Sequence, residues 1–104
     1  MKQATETREE THMNQTGVML RQDRGKAEWR PIDSWAHASA HVREYIHAHG
    51  LTASGETGPM FTGGNIKDVA GRIVARVSYN GKVWGPEPWR TGAIPLFDPY
   101  AVGR

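Results

Sequence analysis

The chain contains no cysteine, which excludes disulfides, thiolate metal sites and thiol nucleophiles. It also lacks any apolar run near the roughly 18 residues that a membrane span requires. Its polar N-terminus has no apolar segment of the kind found in signal peptides. We therefore expect a cytoplasmic protein that does not insert into a membrane.

A large excess of charge is also missing. The formal net charge is +2 over 104 residues, which is too small to indicate nucleic-acid binding by itself. With 38% apolar and 23% charged residues, the composition is typical of a single soluble globular domain. The positive charges are concentrated in two predicted β-hairpins, so their position matters more than their total.

The sequence motifs of catalysis are missing as well. No serine stands in a G-x-S-x-G turn, and the acidic residues are scattered along the chain. The glycine-rich stretch 55–64 is not followed by the Gly-Lys-Ser/Thr of a phosphate-binding loop. Because a chain of this length also has little room for a catalytic pocket, we predict that it is not an enzyme and holds no cofactor.

The stretch from Arg72 to Trp84 predicts a β-hairpin. Two β-rich runs meet at Asn80-Gly81, the dipeptide favoured in two-residue type I′ turns. If Tyr79 pairs with Lys82 across this turn, strand alternation places one set of side chains on the core face: Ile73, Ala75, Val77, Tyr79 and Trp84.

A second hairpin is predicted over residues 17–31, with a turn signal at Asp23 to Lys26. We favour the register in which Leu20 lies opposite Trp29, because a shift by one residue places Glu28 beside Leu20. In the favoured register Trp29 points into the core.

A helix is predicted between the two hairpins. Asp33 or Ser34 caps its N-terminus, and the helix extends to His49 because Gly50 suits the left-handed position that ends a helix. At about 100° per residue, the apolar side chains form one stripe: Trp35, Ala38, Val42, Tyr45 and Ile46.

These elements predict an α+β fold in the order β-β-α-β-β. We expect an antiparallel sheet of about four strands, with the main helix packed on one face. Asn65 to Ala70 forms either a short helical turn or the lead into the next strand. The strand order stays open at this point.

The chain divides into one domain and two flanking segments. We expect a disordered tail over residues 1–16, because they are polar and show no periodicity, and either Met1 or Met13 as the natural start. A single domain covers 17–89 and contains a flexible loop at 52–64. The proline-rich and aromatic segment 90–104 either wraps the domain or presents its side chains to a partner.

His37, His41 and Glu44 are the weak candidates for a metal site. The two histidines are four residues apart on one helix face, and Glu44 lies three residues after the second. Ala38 follows His37 where a metalloprotease helix has its glutamate, so that motif is missing. We favour a solvated helix face, and we predict no metal.

For function, we expect a small interaction or regulatory module that binds a protein partner or associates with itself. The loop and the C-terminal segment supply the predicted partner-binding residues: Met60, Phe61, Trp89, Phe97 and Tyr100. Aromatic and methionine side chains of this kind are enriched in protein interfaces.

The alternative is a nucleic-acid-binding domain that uses the face of the sheet left open by the helix. The predicted phosphate-binding residues are Arg21, Arg30, Arg72 and Arg76. Sheets that bind single strands also stack bases on outward aromatic side chains. The favoured registers turn Trp29, Tyr79 and Trp84 inward, which weakens this alternative.

Overall fold

The computed structural model describes residues 16–101. They form five strands and one helix: β1 Gly17–Leu20, β2 Glu28–Pro31, α1 Trp35–His49, β3 Asn65–Lys67, β4 Ile73–Val77 and β5 Val83–Trp84. The predicted tail 1–16 lies outside the described residues except for Thr16. That residue is buried, and its carbonyl oxygen accepts a hydrogen bond from the backbone N–H of Ile32.

The strands form one antiparallel sheet in the order β2-β1-β3-β4-β5, with α1 packed on one face. The predicted α+β fold and the order of its two hairpins around the helix are therefore confirmed. The segment Asn65–Lys67 is a strand, and it gives the sheet a fifth member. Because β3 pairs with both β1 and β4, it joins the two hairpins.

Local signals fix both ends of α1. Ser34 has an extended backbone, and its Oγ accepts a hydrogen bond from the N–H of His37 at 3.0 Å. At the other end Gly50 adopts φ 61°, and its N–H donates to the carbonyl oxygen of His47. Leu51 follows with a hydrogen bond to the carbonyl oxygen of Ile46, and its side chain is buried.

The core lies between α1 and one face of the sheet. Its buried apolar members come from every strand except β2, from the helix and from the flanking residues: Val18, Leu20, Ile32, Ala38, Val42, Tyr45, Leu51, Ile66, Ala75, Val77 and Val83. Within the described part of the chain, no helix is long and apolar enough to cross a membrane.

The predicted register of the first hairpin is wrong by one residue. Met19 lies opposite Trp29, and Leu20 lies opposite Glu28. Trp29 therefore leaves the core face, and 44% of it is exposed. Glu28 is exposed at the start of the outermost strand, and its carboxylate pairs with the guanidinium of Arg30 at 2.7 Å.

The turn of this hairpin is displaced by contacts from elsewhere in the chain. Asp23 adopts φ 48°, and its backbone N–H donates to the carbonyl oxygen of Met60 at 2.7 Å. The Asp23 side chain accepts from the N–H of Met60, and its carbonyl oxygen accepts from the hydroxyl of Thr62. These bonds hold the turn towards residues 60–62 and set where β2 begins.

The second hairpin is also shifted by one residue. Arg76 lies opposite Trp84, and the hydrogen bond from Ser78 N–H to the carbonyl oxygen of Lys82 closes a three-residue loop. Gly81 takes the left-handed position of this loop, with φ 91°, as in a turn followed by a glycine bulge. The predicted two-residue turn is therefore wrong, and Trp84 leaves the core face.

Two further residues of the predicted core face of this hairpin are exposed, Ile73 and Tyr79. Ile66 pairs with Ala75 while the next residue of β3 pairs with Ile73, so Val74 is the extra residue of a bulge. The bulge breaks the strict alternation. Tyr79 lies in the turn, where its hydroxyl donates to the carbonyl oxygen of Leu51 at 3.1 Å.

Candidate binding surfaces

The two register shifts place both hairpin tryptophans on the face of the sheet opposite α1. Residues directly opposite each other on paired strands lie on the same face of the sheet, and successive residues along one strand alternate between the two faces. The buried strand residues therefore mark the face that α1 covers, and the residues between them in the chain mark the other face. We call this other side the open face, and its strand residues are Gly17, Met19, Trp29, Pro31, Asn65, Lys67, Ile73, Arg76 and Trp84. Among these described strand positions there is no carboxylate.

A cleft of about 420 Å³ lies at the β2 end of the open face. Trp29 and Lys67 line it, and the Lys67 ammonium stands 5.1 Å from the centre of the indole ring. Gly17 on β1 pairs with Pro31 on one side and Lys67 on the other. Because glycine has no side chain, only backbone lies at this point of the cleft. The cleft therefore combines an exposed aromatic ring with an adjacent cation.

The turn after β3 forms one edge of this cleft through Asp68 and Val69. The N–H groups of Ala70 and Arg72 donate to the Asp68 carboxylate, and the guanidinium of Arg72 lies 3.2 Å from it. The hydrogen bond from the Arg72 backbone, followed by that from Ala70 and the charge of Arg72, lowers the pKa of Asp68. Arg72 is thus paired with a carboxylate beside the cleft.

A second cleft, of about 270 Å³, lies at the β5 end of the open face. The Nη2 of Arg76 donates to the carbonyl oxygen of Glu87 at 2.6 Å, and the indole N–H of Trp84 donates to the hydroxyl of Ser78. The Nε of Arg76 is buried without a hydrogen-bond partner among the described residues. The segment that begins at Gly85 therefore covers part of this end.

The four predicted phosphate-binding arginines do not share one face. The side chain of Arg21 donates to the hydroxyl of Thr62, and Arg30 lies on the helix side of β2, with its Nη1 3.5 Å from the Nδ1 of His41. Only Arg76 stands at a strand position of the open face. The sequence prediction also missed Lys67, because the pattern of residues 65–70 fits a helical turn as well as a strand.

The helix histidines contact each other and the edge of the sheet. The ring centres of His37 and His41 are 4.4 Å apart, and the Nδ1 of His37 is 3.1 Å from a carboxylate oxygen of Asp33. Partial burial, followed by the nearby charges of His37 and Arg30, lowers the pKa of His41. Glu44 is exposed, and within residues 16–101 no three His, Asp or Glu side chains form a group that suits a metal ion.

The C-terminal segment both wraps the domain and exposes apolar side chains. Phe97 packs against the core, and its carbonyl oxygen accepts a hydrogen bond from the N–H of Val83. Three large apolar residues of this segment and Trp89 directly before it are exposed: Trp89 (59%), Ile94 (84%), Leu96 (49%) and Tyr100 (62%). We call these four residues the C-terminal apolar surface.

Met60 and Phe61 are held by the loop that contains them. The N–H of Phe61 donates to the carbonyl oxygen of Thr52, and its ring lies edge-on to Tyr45 at 6.2 Å. Phe61 and Phe97 therefore both pack against the core, whereas the predicted partner-binding residues Trp89 and Tyr100 are exposed.

No protein-family model matches the chain, and neither a curated protein nor a solved structure shows significant similarity to it.

Proposed function

We propose that the chain is a non-enzymatic interaction module that binds a protein partner through the C-terminal apolar surface. The observation that supports this proposal is the exposure of four large apolar side chains between Trp89 and Tyr100. Trp89 and Ile94 line one cleft, and contiguous exposed apolar side chains mark interaction sites more often than isolated surface residues do. Two of the four residues are tryptophan and tyrosine, which are enriched where interfaces are strongest.

The way the segment is held favours binding. Phe97 anchors it to the core, and the N–H of Leu96 donates to the carbonyl oxygen of Val83 at 2.6 Å. A turn closed by the hydrogen bond from Ala93 N–H to the carbonyl oxygen of Arg90 precedes Ile94. A segment that is already shaped loses less conformational entropy when a partner covers it.

The experiment compares capture of partners by the full chain and by three single variants. Ile94→Asp and Leu96→Asp place a charge in the C-terminal apolar surface, and Thr91→Asp places the same charge at an exposed polar position of the same segment. We expect capture to fall by at least about tenfold for the first two variants, since a buried unpaired charge costs more than the 1.4 kcal/mol of a tenfold change. Thr91→Asp keeps it.

Self-association is measured with the same variants by light scattering of the purified chain. A dimer that Ile94→Asp dissociates identifies a second copy of the chain as the partner. Equal capture by all variants contradicts the proposal. So does a monomeric mass together with no reproducible protein partner.

A further inference from the structure

We propose that the β2 end of the open face binds single-stranded nucleic acid, with a base stacked on Trp29 and a phosphate at Lys67. This site uses none of the residues of the C-terminal apolar surface, and it does not depend on the proposed protein partner.

The stacking surface is the exposed ring of Trp29. It stands on the outermost strand β2, opposite Met19, where the open face borders the cleft of about 420 Å³. Aromatic side chains on a sheet bind single strands of varied sequence, because every base offers a flat face. A base paired within a duplex has both faces covered by its neighbours, so this arrangement favours a single strand.

The charge of the face matches the sugar-phosphate backbone. Lys67 is the charged strand residue at the β2 end of the face, whereas Arg76 at the β5 end is bonded to the carbonyl oxygen of Glu87. No carboxylate stands at these described strand positions. The nearest acidic side chain at the edge of the cleft, Asp68, is paired with Arg72 and with backbone N–H groups. The Lys67 ammonium lies over the Trp29 ring, 5.1 Å from its centre, so a base that stacks on this side of the ring displaces the ammonium towards the phosphate of the same nucleotide.

The order of the strands sets the path of the ligand. In the sheet β2-β1-β3-β4-β5, Trp29 lies on one outer strand and Trp84 on the other, with Lys67 and Arg76 on the two strands between β1 and β5. The segment that begins at Gly85 covers part of the β5 end, where the Arg76 guanidinium donates to the carbonyl oxygen of Glu87. The ligand therefore lies across β2, β1 and β3, a width of two strand spacings or about 10 Å, where it meets the ring of Trp29 and the ammonium of Lys67.

The test is fluorescence anisotropy of the purified full chain with a fluorescein-labelled thymidine oligonucleotide of about 15 nucleotides. A duplex of equal length is titrated beside it, both from about 50 to 200 mM salt. We expect tighter binding of the single strand, and an affinity that falls linearly on a log–log plot against salt. Trp29→Ala weakens binding by about 5- to 150-fold, the range for one stacked base, while Trp29→Phe keeps most of it.

Lys67→Gln lowers the magnitude of the salt slope by about 0.7, the value for one phosphate contact on a single strand. A matched control, Lys26→Gln, removes an exposed cation elsewhere and leaves oligonucleotide binding unchanged. Circular dichroism of every variant checks that the fold is retained.

Three results overturn the inference: no oligonucleotide binding at about 50 mM salt, equal affinity of Trp29→Ala and the wild type, and binding of the duplex as tightly as the single strand. If the unmodified chain binds no oligonucleotide and Trp29→Ala loses capture of a protein partner, the open face binds a protein instead. The oligonucleotide assay contains only the purified chain, so its outcome is independent of the Ile94→Asp experiment.

Discussion

Trp84 lies directly opposite Arg76 across β4 and β5, on the face of the sheet that α1 leaves open. The next pair along the hairpin, Val77 and Val83, is buried against the helix side. A shift of one residue exchanges these two faces completely, because side chains alternate with a period of two. The three-residue loop through Gly81 therefore determines which aromatic ring the open face presents.

Gly81 should be hard to replace. Its φ of 91° strains any residue with a Cβ, and a Cβ there would lie 2.8 Å from the Cδ of Arg43. We expect Gly81→Ala to lower the free energy of unfolding by about 2 kcal/mol. Gly92→Ala is the matched control, since φ is 86° and nothing lies within 4 Å of the new Cβ. Urea denaturation should show that Gly92→Ala lowers the free energy of unfolding by about 1 kcal/mol. Equal losses of stability in Gly81→Ala and Gly92→Ala would contradict an added cost from the contact with Arg43.

Phe97 and Ile94 should differ in their effect on stability although they belong to one segment. Phe97 packs against the core, so Phe97→Ala should cost about 2 to 3 kcal/mol, less than a fully buried phenylalanine. Ile94 is 84% exposed, and Ile94→Ala should change the stability by less than about 0.5 kcal/mol. Thermal unfolding measures both, and a large loss for Ile94→Ala would show that the segment packs differently.

The cap of α1 gives a third prediction. Ser34→Ala removes the acceptor for the N–H of His37 and should lower the stability by about 1 kcal/mol. Ser34→Asp keeps a side-chain oxygen at the same position and serves as the control. Denaturation of both variants in urea tests the cap, and equal stability of Ser34→Ala and the wild type would rule it out.

His41 should make stability depend on pH. Its pKa in the folded state is lowered from the ordinary 6.5, chiefly by burial and then by His37 and Arg30. Between the folded pKa and 6.5 the unfolded chain therefore binds more protons, so stability falls as the pH drops through this window. His41→Gln should flatten the curve of unfolding free energy against pH below 6.5. Parallel curves for the variant and the wild type would contradict the shift.

The helix and the fold class could be predicted from the sequence because their signals are local. Ser34, the apolar stripe and Gly50 all lie within or beside the segment that they define. Asn80-Gly81 also located its hairpin correctly. The same dipeptide suits both a two-residue loop and a three-residue loop with glycine in the left-handed position, so it left the register undetermined.

The register of the first hairpin and the open face could not be predicted in this way. Asp23 sets that turn through bonds to Met60 and Thr62, which are 37 and 39 residues further along the chain. Lys67 joins the open face only because β3 enters the sheet beside β1. These relationships depend on tertiary contacts, and no pattern within either hairpin contains them.

Site-specific photocrosslinking in native lysate tests the proposed protein interaction most directly. A photoreactive amino acid replaces Ile94 in the C-terminal apolar surface or, as the control, Ala40 on the exposed side of α1. We predict a discrete crosslinked protein species, or a crosslinked dimer, from position 94 and none from position 40. Equal crosslinking from both positions, or crosslinking from position 40 alone, would contradict a partner that binds the C-terminal apolar surface.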